Sequence, residues 1–379
     1  MIYAVHLIRW AVILFTVSLN QYQLGPSIEF LIALVGIFVV ADRLKVAAEE
    51  LSEKLGENIG GLALAFMGNM PEILISISAL NKGMSDIVQA SISGAIIGNL
   101  LLGLGCAIIA GGLKTSILKF NKRISRVHSS MVILACCGLL IPAVFHISSP
   151  VEVEHLSLQI SFVLLSLYIF GLIFTFYTHK HLSHSKNYGV ESEAAVDQAW
   201  DSSREGEIMT TVVSKVPHEH ATVHHQSSVG NCLLRLAIYS MMIGLISEVL
   251  TESLLPMSKQ FGFSSLFTGV ILLALGGNIG EYWNAMLFAR NGKIDLAIES
   301  TMGSSVQMAL LVSPLLVFYS YLMNEPLNLN FSIYEVAGIV IAASVTRTFT
   351  YDGESHWLEG TMMAGIYIIL GLGFFHIAM

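Results

Sequence analysis

Two glutamates, Glu72 and Glu281, stand in the same short pattern, Gly-Asn-x-x-Glu, inside long apolar stretches of the sequence. A carboxylate in such a stretch is rare without a partner or a role, and neither stretch contains a Lys or Arg that could neutralise it. Two carboxylates, backbone carbonyls and the amide oxygens of Asn69 and Asn278 form an all-oxygen set of ligands that suits Ca²⁺. Close together without metal, the two acids take up protons, because like charges resist joint ionisation. The pair can thus hold a divalent cation or protons, unless both are protonated structural glutamates in a helix bundle.

The residues around both glutamates favour an interrupted helix. The first motif, Gly68 to Glu72, contains Pro71, and the second, Gly276 to Glu281, contains three glycines and no proline. Glycine is conformationally permissive, and proline removes a backbone N–H. The composition therefore predicts that each span consists of two half-helices with unwound backbone between them. Carbonyls freed in this way are tolerated at membrane depth where they face protein or a hydrated cavity, and there they can coordinate a cation.

The two motifs belong to a longer internal repeat. Residues Leu62–Leu102 align with Ile271–Leu311 at a constant offset of 209 residues and without a gap. A glycine eleven residues after the glutamate and an aspartate fourteen residues after it recur in both copies, which indicates duplication. The identities beyond Leu and Ala are Gly68/Gly277, Asn69/Asn278, Glu72/Glu281, Gly83/Gly292, Asp86/Asp295, Ser91/Ser300 and Gly94/Gly303.

The span after each motif adds polar side chains among small residues, which let helices approach closely. For these polar residues, ligand or gate roles and plain hydrogen bonds between helices remain alternatives. Glu248, in a separate apolar span, either relays protons, lines an entrance or lies near the membrane interface. Besides Gly68 and Gly277, the candidates for this outer layer are Gln89, Asn99, Ser304, Ser305, Gln307 and Glu248.

The elements that must hold these residues are membrane-spanning helices. Of the 379 residues, 54% are hydrophobic and only 12% are charged. The apolar residues come in blocks of about the 20 residues that a helix needs to cross a bilayer. The sequence therefore predicts an all-α polytopic membrane protein. After a first helix at 1–20, the predicted spans are 28–55, 60–80, 86–112, 128–147, 156–178, 231–254, 264–289, 294–320, 331–349 and 357–378.

A polar, acidic and His-rich linker divides these spans into two groups of five. We expect 11 transmembrane helices as 1 + 5 + 5, and an odd number of spans per half makes the two repeats inverted, as in many secondary transporters. Lys and Arg gather on the side of the linker, which places it in the cytoplasm. Its seven histidines could sense pH or bind a metal, or have no special role. The predicted parts are the N-terminal helix (1–20), the first repeat (28–178), the linker (179–228) and the second repeat (229–379).

Several classes of function lose support from the composition. A formal net charge of −8 without a basic stripe argues against nucleic-acid binding. The sequence lacks the HExxH, GxSxG and P-loop patterns of common hydrolases and ATPases, and its four cysteines form no CxxC pair. We therefore predict a protein that is no enzyme and needs no cofactor; a homo-oligomer is possible. A passive cation channel and an intramembrane metalloenzyme are the less favoured alternatives.

The motifs resemble those of the calcium/cation antiporter superfamily, and most closely those of its calcium/proton exchanger branch. The resemblance covers nearly the whole chain after the first helix. It rests on both Gly-Asn-x-x-Glu motifs, on Gly303 to Gln307 and on the tail segment Asp352 to Gly360. It implies eleven helices, exchange of Ca²⁺ against H⁺, and Glu72 and Glu281 as shared ligands of the cation and the protons.

Four positions depart from the pattern of that branch. Pro71 before the first glutamate is typical of the sodium/calcium branch, and Tyr282 stands where His is common. Ala95 and Gly98 replace two serines, which weakens a Na⁺ site and favours protons. We predict a secondary antiporter that exports Ca²⁺ from the cytoplasm in exchange for H⁺, with exchange against Na⁺, or of another divalent cation such as Mn²⁺, as the alternative. The expected location is the plasma membrane of a prokaryote or a vacuolar-type membrane of a eukaryote.

Overall fold

The computed structural model describes residues 25–55, 57–148, 153–174 and 228–377. The predicted N-terminal helix at 1–20 and the linker up to residue 227 lie outside the described residues. Within the described ranges the chain is almost entirely helical, and every predicted span from 28 onward coincides with a helix or a pair of helices. Seven of these helices are long and apolar enough to cross a membrane.

Among the described residues, one short pair of antiparallel strands accompanies the helices. In chain order, the elements are α1 (Pro26–Leu55), α2 (Glu57–Gly68), α3 (Met70–Asn81), α4 (Ser85–Gly112), β1 (Leu118–Lys119), α5 (Lys122–Ser148), α6 (Val153–Ile173), α7 (Val229–Phe261), α8 (Ser265–Arg290), α9 (Ile294–Leu322), α10 (Ile333–Phe349), β2 (Glu354–Ser355) and α11 (Trp357–His376). Three of the long helices contain a π-helical segment, at Gly98–Gly103 in α4, Thr268–Leu273 in α8 and Met308–Val312 in α9.

The helix interruption expected at both motifs occurs at only one of them. Asn69 alone separates α2 from α3, with φ −98° and ψ 11°, because Pro71 in the first turn of α3 offers no N–H to the preceding turn. In α8 the α-helix continues from Ala274 to Arg290 through the second motif. The prediction of unwound backbone at both motifs is therefore wrong. Glycines without a proline keep every N–H, so the hydrogen-bond ladder of α8 can pass through them.

The backbone around the repeat motifs recurs with the same offset as the sequence. Gly83 and Gly292 both have positive φ, at 71° and 75°, and each lies in the turn that precedes a long helix. The helices that follow begin at Ser85 and Ile294, and both contain a π-helical segment at corresponding positions. α4 and α9 are thus built alike.

The core of the bundle forms where α4 crosses its neighbours. A Cβ added at Gly94 would meet the backbone of Val270 in α8, and one added at Gly105 would lie 2.9 Å from the carbonyl oxygen of Gly360 in α11. Glycine at these crossings lets the helices approach to backbone contact. α1 packs mainly along α7, and α3 also packs against α7.

One end of the bundle carries a group of basic residues, and we call it the basic end: Lys114, Lys122, Arg290, Lys293 and Arg347. Here β1 pairs with β2, and the backbone N–H of Asn121 donates to Oδ1 of Asp295 over 2.7 Å. At the opposite end, Lys82 forms an ion pair of 3.3 Å with Glu252 of α7. The two ends are therefore chemically distinct.

Candidate functional site

The two repeat glutamates line one cavity in the middle of the bundle. Glu72 lies in the first turn of α3 and is 6% exposed, and Glu281 lies midway along α8. The cavity measures about 70 Å³ and also borders Gly68, Gly277 and α1. That space suffices for a few water molecules or a partly hydrated cation. We call it the acid cavity.

Close approach of α3 to α8 places the Glu72 carboxylate against the second motif. A Cβ added at Gly277 would lie 3.1 Å from Cγ and 3.2 Å from Oε1 of Glu72. The corresponding position in the first motif, Gly68, has open space where its Cβ would lie. The two copies are thus not equivalent at this point, and only the second glycine is needed to seat a carboxylate.

The two motif asparagines are also held differently. Nδ2 of Asn69 donates a hydrogen bond to Oε1 of Gln307 over 2.5 Å, and the Ser304 hydroxyl lies 3.4 Å from Asn69 Oδ1. Asn278 instead donates from Nδ2 to the Ala274 carbonyl oxygen of its own helix over 2.9 Å. Asn69 therefore links the first motif to α9, whereas the amide of Asn278 is used within α8.

Several oxygens at the site are buried without a hydrogen-bond partner among the described residues. They are Oε2 of Glu72, Oε2 of Glu281 and Oδ1 of Asn278. Carboxylate and amide oxygens are ligands that Ca²⁺ prefers, and buried polar atoms in proteins are otherwise nearly always paired. The three atoms are therefore the best candidates for direct contact with a cation. In the described part of the chain, no three His, Cys, Asp or Glu side chains cluster as a metal site.

A second, larger space of about 460 Å³ leads from Glu281 toward the basic end, and we call it the outer cavity. Its wall includes Ser304 and Gln307, and it shares Lys45, Gly68 and Glu281 with the acid cavity. On the side of Glu72 that faces away from the basic end lies a much smaller space of about 10 Å³, which Asn278 also borders. The site therefore has room on the side of the basic end and is nearly closed toward the opposite end.

Four predicted residues lie away from both cavities. Ser305 donates to the Thr301 carbonyl of its own helix. Asn99 is fully buried in the π-helical segment of α4, and Gln89 lies nearer the start of the same helix. The amide nitrogens of both side chains have no hydrogen-bond partner among the described residues. Glu248 is exposed, and its backbone oxygen accepts from Lys82. The structure therefore does not bring these four to the acids.

Other residues at the site had no motif to reveal them. Lys45 of α1 borders both cavities, and His128, Tyr168 and Glu299 line the outer cavity. Lys45 counts in the sequence as one of the basic residues near a helix end, but α1 continues as far as Leu55. No pattern in the sequence marked the face of α1 that carries Lys45 as directed at the acids. The two acids thus do have a cation nearby, supplied by a different helix.

Known proteins with similar sequences or folds include cation antiporters and a calcium transporter. The model of the sodium/calcium exchanger protein family matches residues 27–177 and 232–375. A Ca²⁺/H⁺ antiporter of Aphanothece halophytica is 32% identical over 91% of this chain and 89% of its own length. The vacuolar calcium ion transporter of Schizosaccharomyces pombe is 30% identical over 94% of this chain and 81% of its own length. The solved structure of native YfkE has a TM-score of 0.77 and 28% identity, and the match covers 98% of this chain and 99% of that one.

Proposed function

Since this chain belongs to the sodium/calcium exchanger protein family, we propose that it is a secondary antiporter that exports Ca²⁺ from the cytoplasm in exchange for H⁺. The observation that supports this most directly is the acid cavity, in which Glu72 and Glu281 from the two repeat motifs face a common space. The relatives with similar sequences include Ca²⁺/H⁺ antiporters and a calcium transporter of the vacuole. The protein is accordingly a multi-pass membrane protein that transports Ca²⁺ and H⁺.

The exchange follows from the charge of the two acids. When both carboxylates are ionised, Ca²⁺ balances their charge, and their unpaired oxygens together with Asn278 Oδ1 replace part of its hydration shell. When the cation leaves, two adjacent negative charges in a space of this size are unfavourable, and protons bind instead. Because one pair of side chains holds either cargo, the two cannot bind together, and transport of one is coupled to transport of the other.

The conformation corresponds to a site open toward the cytoplasm. We assign the basic end to the cytoplasm, since Lys and Arg are enriched on that side of membrane proteins. The outer cavity then lies on the cytoplasmic side of Glu281, and the narrow space beside Glu72 lies on the far side. Alternating access requires the helices to move so that the outer cavity closes and the space beside Glu72 widens.

We further propose the full arrangement as 11 helices in a 1 + 5 + 5 order, with inverted repeats at 28–178 and 229–379 and the linker in the cytoplasm. The matching turns at Gly83 and Gly292 and the matching π-helical segments of α4 and α9 support the duplication. An odd number of spans in each half then makes the repeats antiparallel in the membrane.

Protons rather than Na⁺ are the proposed coupling ion. Ala95 borders the narrow space beside Glu72, so the side chain at this position offers no oxygen to a Na⁺ ion there. Pro71 before Glu72 is the feature that favours Na⁺/Ca²⁺ exchange as the second candidate. H⁺ and Na⁺ can be distinguished as coupling ions by testing which of their gradients drives Ca²⁺ movement.

Proteoliposomes that contain the purified protein test this function. We expect an imposed pH gradient to drive uptake of radioactive Ca²⁺, an Na⁺ gradient to fail, and Glu72→Gln and Glu281→Gln each to abolish the uptake. Glu248→Gln is the matched control, because it also removes one acid from a long helix but lies outside the cavities. Uptake driven only by Na⁺ would contradict the proton as coupling ion, and no gradient-driven flux would contradict the Ca²⁺ substrate.

A further inference from the structure

The passage between the outer cavity and the acid cavity is formed by three residues that border both: Lys45, Gly68 and Glu281. Gly68 has no side chain, so the side chains that border this passage belong to one basic residue, Lys45, and one acidic residue, Glu281. A cation that moves from the outer cavity into the acid cavity passes Lys45. A fixed positive charge on the route of a divalent cation needs an explanation, because it repels that cation twice as strongly as it repels a monovalent one.

The Lys45 ammonium is not committed to another partner in the described part of the chain. It forms no ion pair there within 4 Å, whereas Asp42 one turn earlier pairs with Arg43 at 3.6 Å. Its charge acts on both Glu72 and Glu281, and also on Glu49 one turn later in α1. The Lys45 side chain is half-buried and borders both cavities. Other titratable groups that face the outer cavity are His128, Tyr168 and Glu299.

On the basis of the proposed function, we propose that the Lys45 ammonium competes with the transported cation for the carboxylates of Glu281 and Glu72. With the site empty, its ammonium turns toward Glu281 and Glu72 and offsets part of their charge. When Ca²⁺ arrives from the cytoplasm, the ammonium withdraws along the surface of α1 toward Asp42 and Glu49. The four-carbon stem of lysine permits this swing, and its compact charge needs no fixed geometry.

The consequence is a site that binds Ca²⁺ from the cytoplasm less tightly than two bare carboxylates would, and that releases it more readily. Lys45 is a positioning and specificity residue rather than a ligand of Ca²⁺. Its effect is greatest for divalent cations and is confined to the cytoplasmic side, since the narrow space beyond Glu72 is not in contact with Lys45. The alternative is a solvated lysine whose stem covers apolar surface and whose charge faces water.

The test compares Lys45→Gln and Lys45→Arg with the wild type in everted vesicles, where the cytoplasmic face is outside. We expect Lys45→Gln to lower the KM for Ca²⁺ about fivefold without raising kcat, and Lys45→Arg to keep it near the wild-type value. Lys54→Gln is the matched control, since it removes a positive charge from the exposed last turn of α1, outside both cavities, and should leave KM unchanged. An unchanged or higher KM for Lys45→Gln, or an equal fall for Lys54→Gln, would overturn the proposal.

A second measurement needs no substitution. The rate at which Lys45 is modified by reductive methylation, followed by mass spectrometry, should rise when Ca²⁺ is added to the purified protein, because the ammonium is displaced from the acids. If the methylation rate of Lys45 is the same with and without Ca²⁺, and Glu281→Gln also leaves that rate unchanged, the displacement of Lys45 by Ca²⁺ is refuted. Failure of the proposed function gives a different result, namely no Ca²⁺ flux by the wild type.

Discussion

Asn69, in the break between α2 and α3, donates a hydrogen bond to Gln307 of α9, 238 positions further along the chain. The contact joins the residue that interrupts the first motif to the polar stretch that follows the second motif. Its counterpart Asn278 makes no such bridge, because its amide is bonded to the backbone of α8. The duplicated motifs therefore have different neighbours although their sequences match.

A double-mutant cycle tests this bridge. Asn69→Ala leaves the Gln307 amide oxygen buried without its donor, so we expect a loss of about tenfold in the initial rate of Ca²⁺ uptake. Asn69→Ala and Gln307→Ala should be coupled by about 1 kcal/mol in apparent Ca²⁺ affinity. Asn278→Ala and Gln307→Ala should be additive, and additivity of the Asn69 pair as well would contradict the bridge.

The glycines of the two motifs should differ in their tolerance of a methyl group. Gly277→Ala places a Cβ 3.1 Å from Cγ of Glu72, so the carboxylate must shift by a few tenths of an ångström from its place in the acid cavity. We expect this variant to lose about tenfold or more in Ca²⁺ uptake while the purified protein stays monodisperse. Gly68→Ala meets no atom within 4 Å and should retain most of the activity. Equal losses in both variants would show that the close approach to Glu72 is not the cause.

Glu299 in the outer cavity should act with the opposite sign to Lys45. A negative charge in a cavity of low dielectric raises the local concentration of a divalent cation. We expect Glu299→Gln to raise the KM for Ca²⁺ on the cytoplasmic side about threefold and to leave the maximal rate nearly unchanged. Glu248→Gln, with its acid outside the cavities, should leave KM unaltered. A wild-type KM that does not depend on salt, or a Glu299→Gln KM equal to that of the wild type, would contradict a long-range electrostatic effect of Glu299.

Much of this arrangement could be predicted from the sequence, because the length of the apolar segments and the spacing of the repeats are visible along the chain itself. Apolar length alone gives the spans, since a helix must be long enough to cross the bilayer. The offset of 209 residues gives the duplication, and with it the expectation that Glu72 and Glu281 face each other. Both lie on one cavity.

The remainder depends on which faces of the helices meet, and the sequence does not contain that directly. Glycines predicted an unwound backbone in α8, yet without a proline the helix continues and Gly277 serves instead to let Glu72 approach. Asn99 was a candidate for a ligand or gate role, with a hydrogen bond between helices as the alternative, but it lies in a π-helical segment away from both cavities. Lys45 looked like a charge near a helix end, and only the packing of α1 against α8 directs it to the acids.

The crossing of α4 and α11 offers a test of packing that is separate from transport. A Cβ at Gly360 would lie 2.6 Å from the Gly105 carbonyl oxygen and 2.9 Å from the Ile109 backbone nitrogen. Because backbone atoms cannot rotate away, Gly360→Ala must push the two helices apart, and we expect the melting temperature in detergent to fall by about 5 °C. Gly365→Ala, on the same helix, meets no atom within 4 Å. There the better helix propensity of alanine should leave the melting temperature unchanged or slightly higher. If the two variants melt alike, α4 and α11 are not in backbone contact at this glycine.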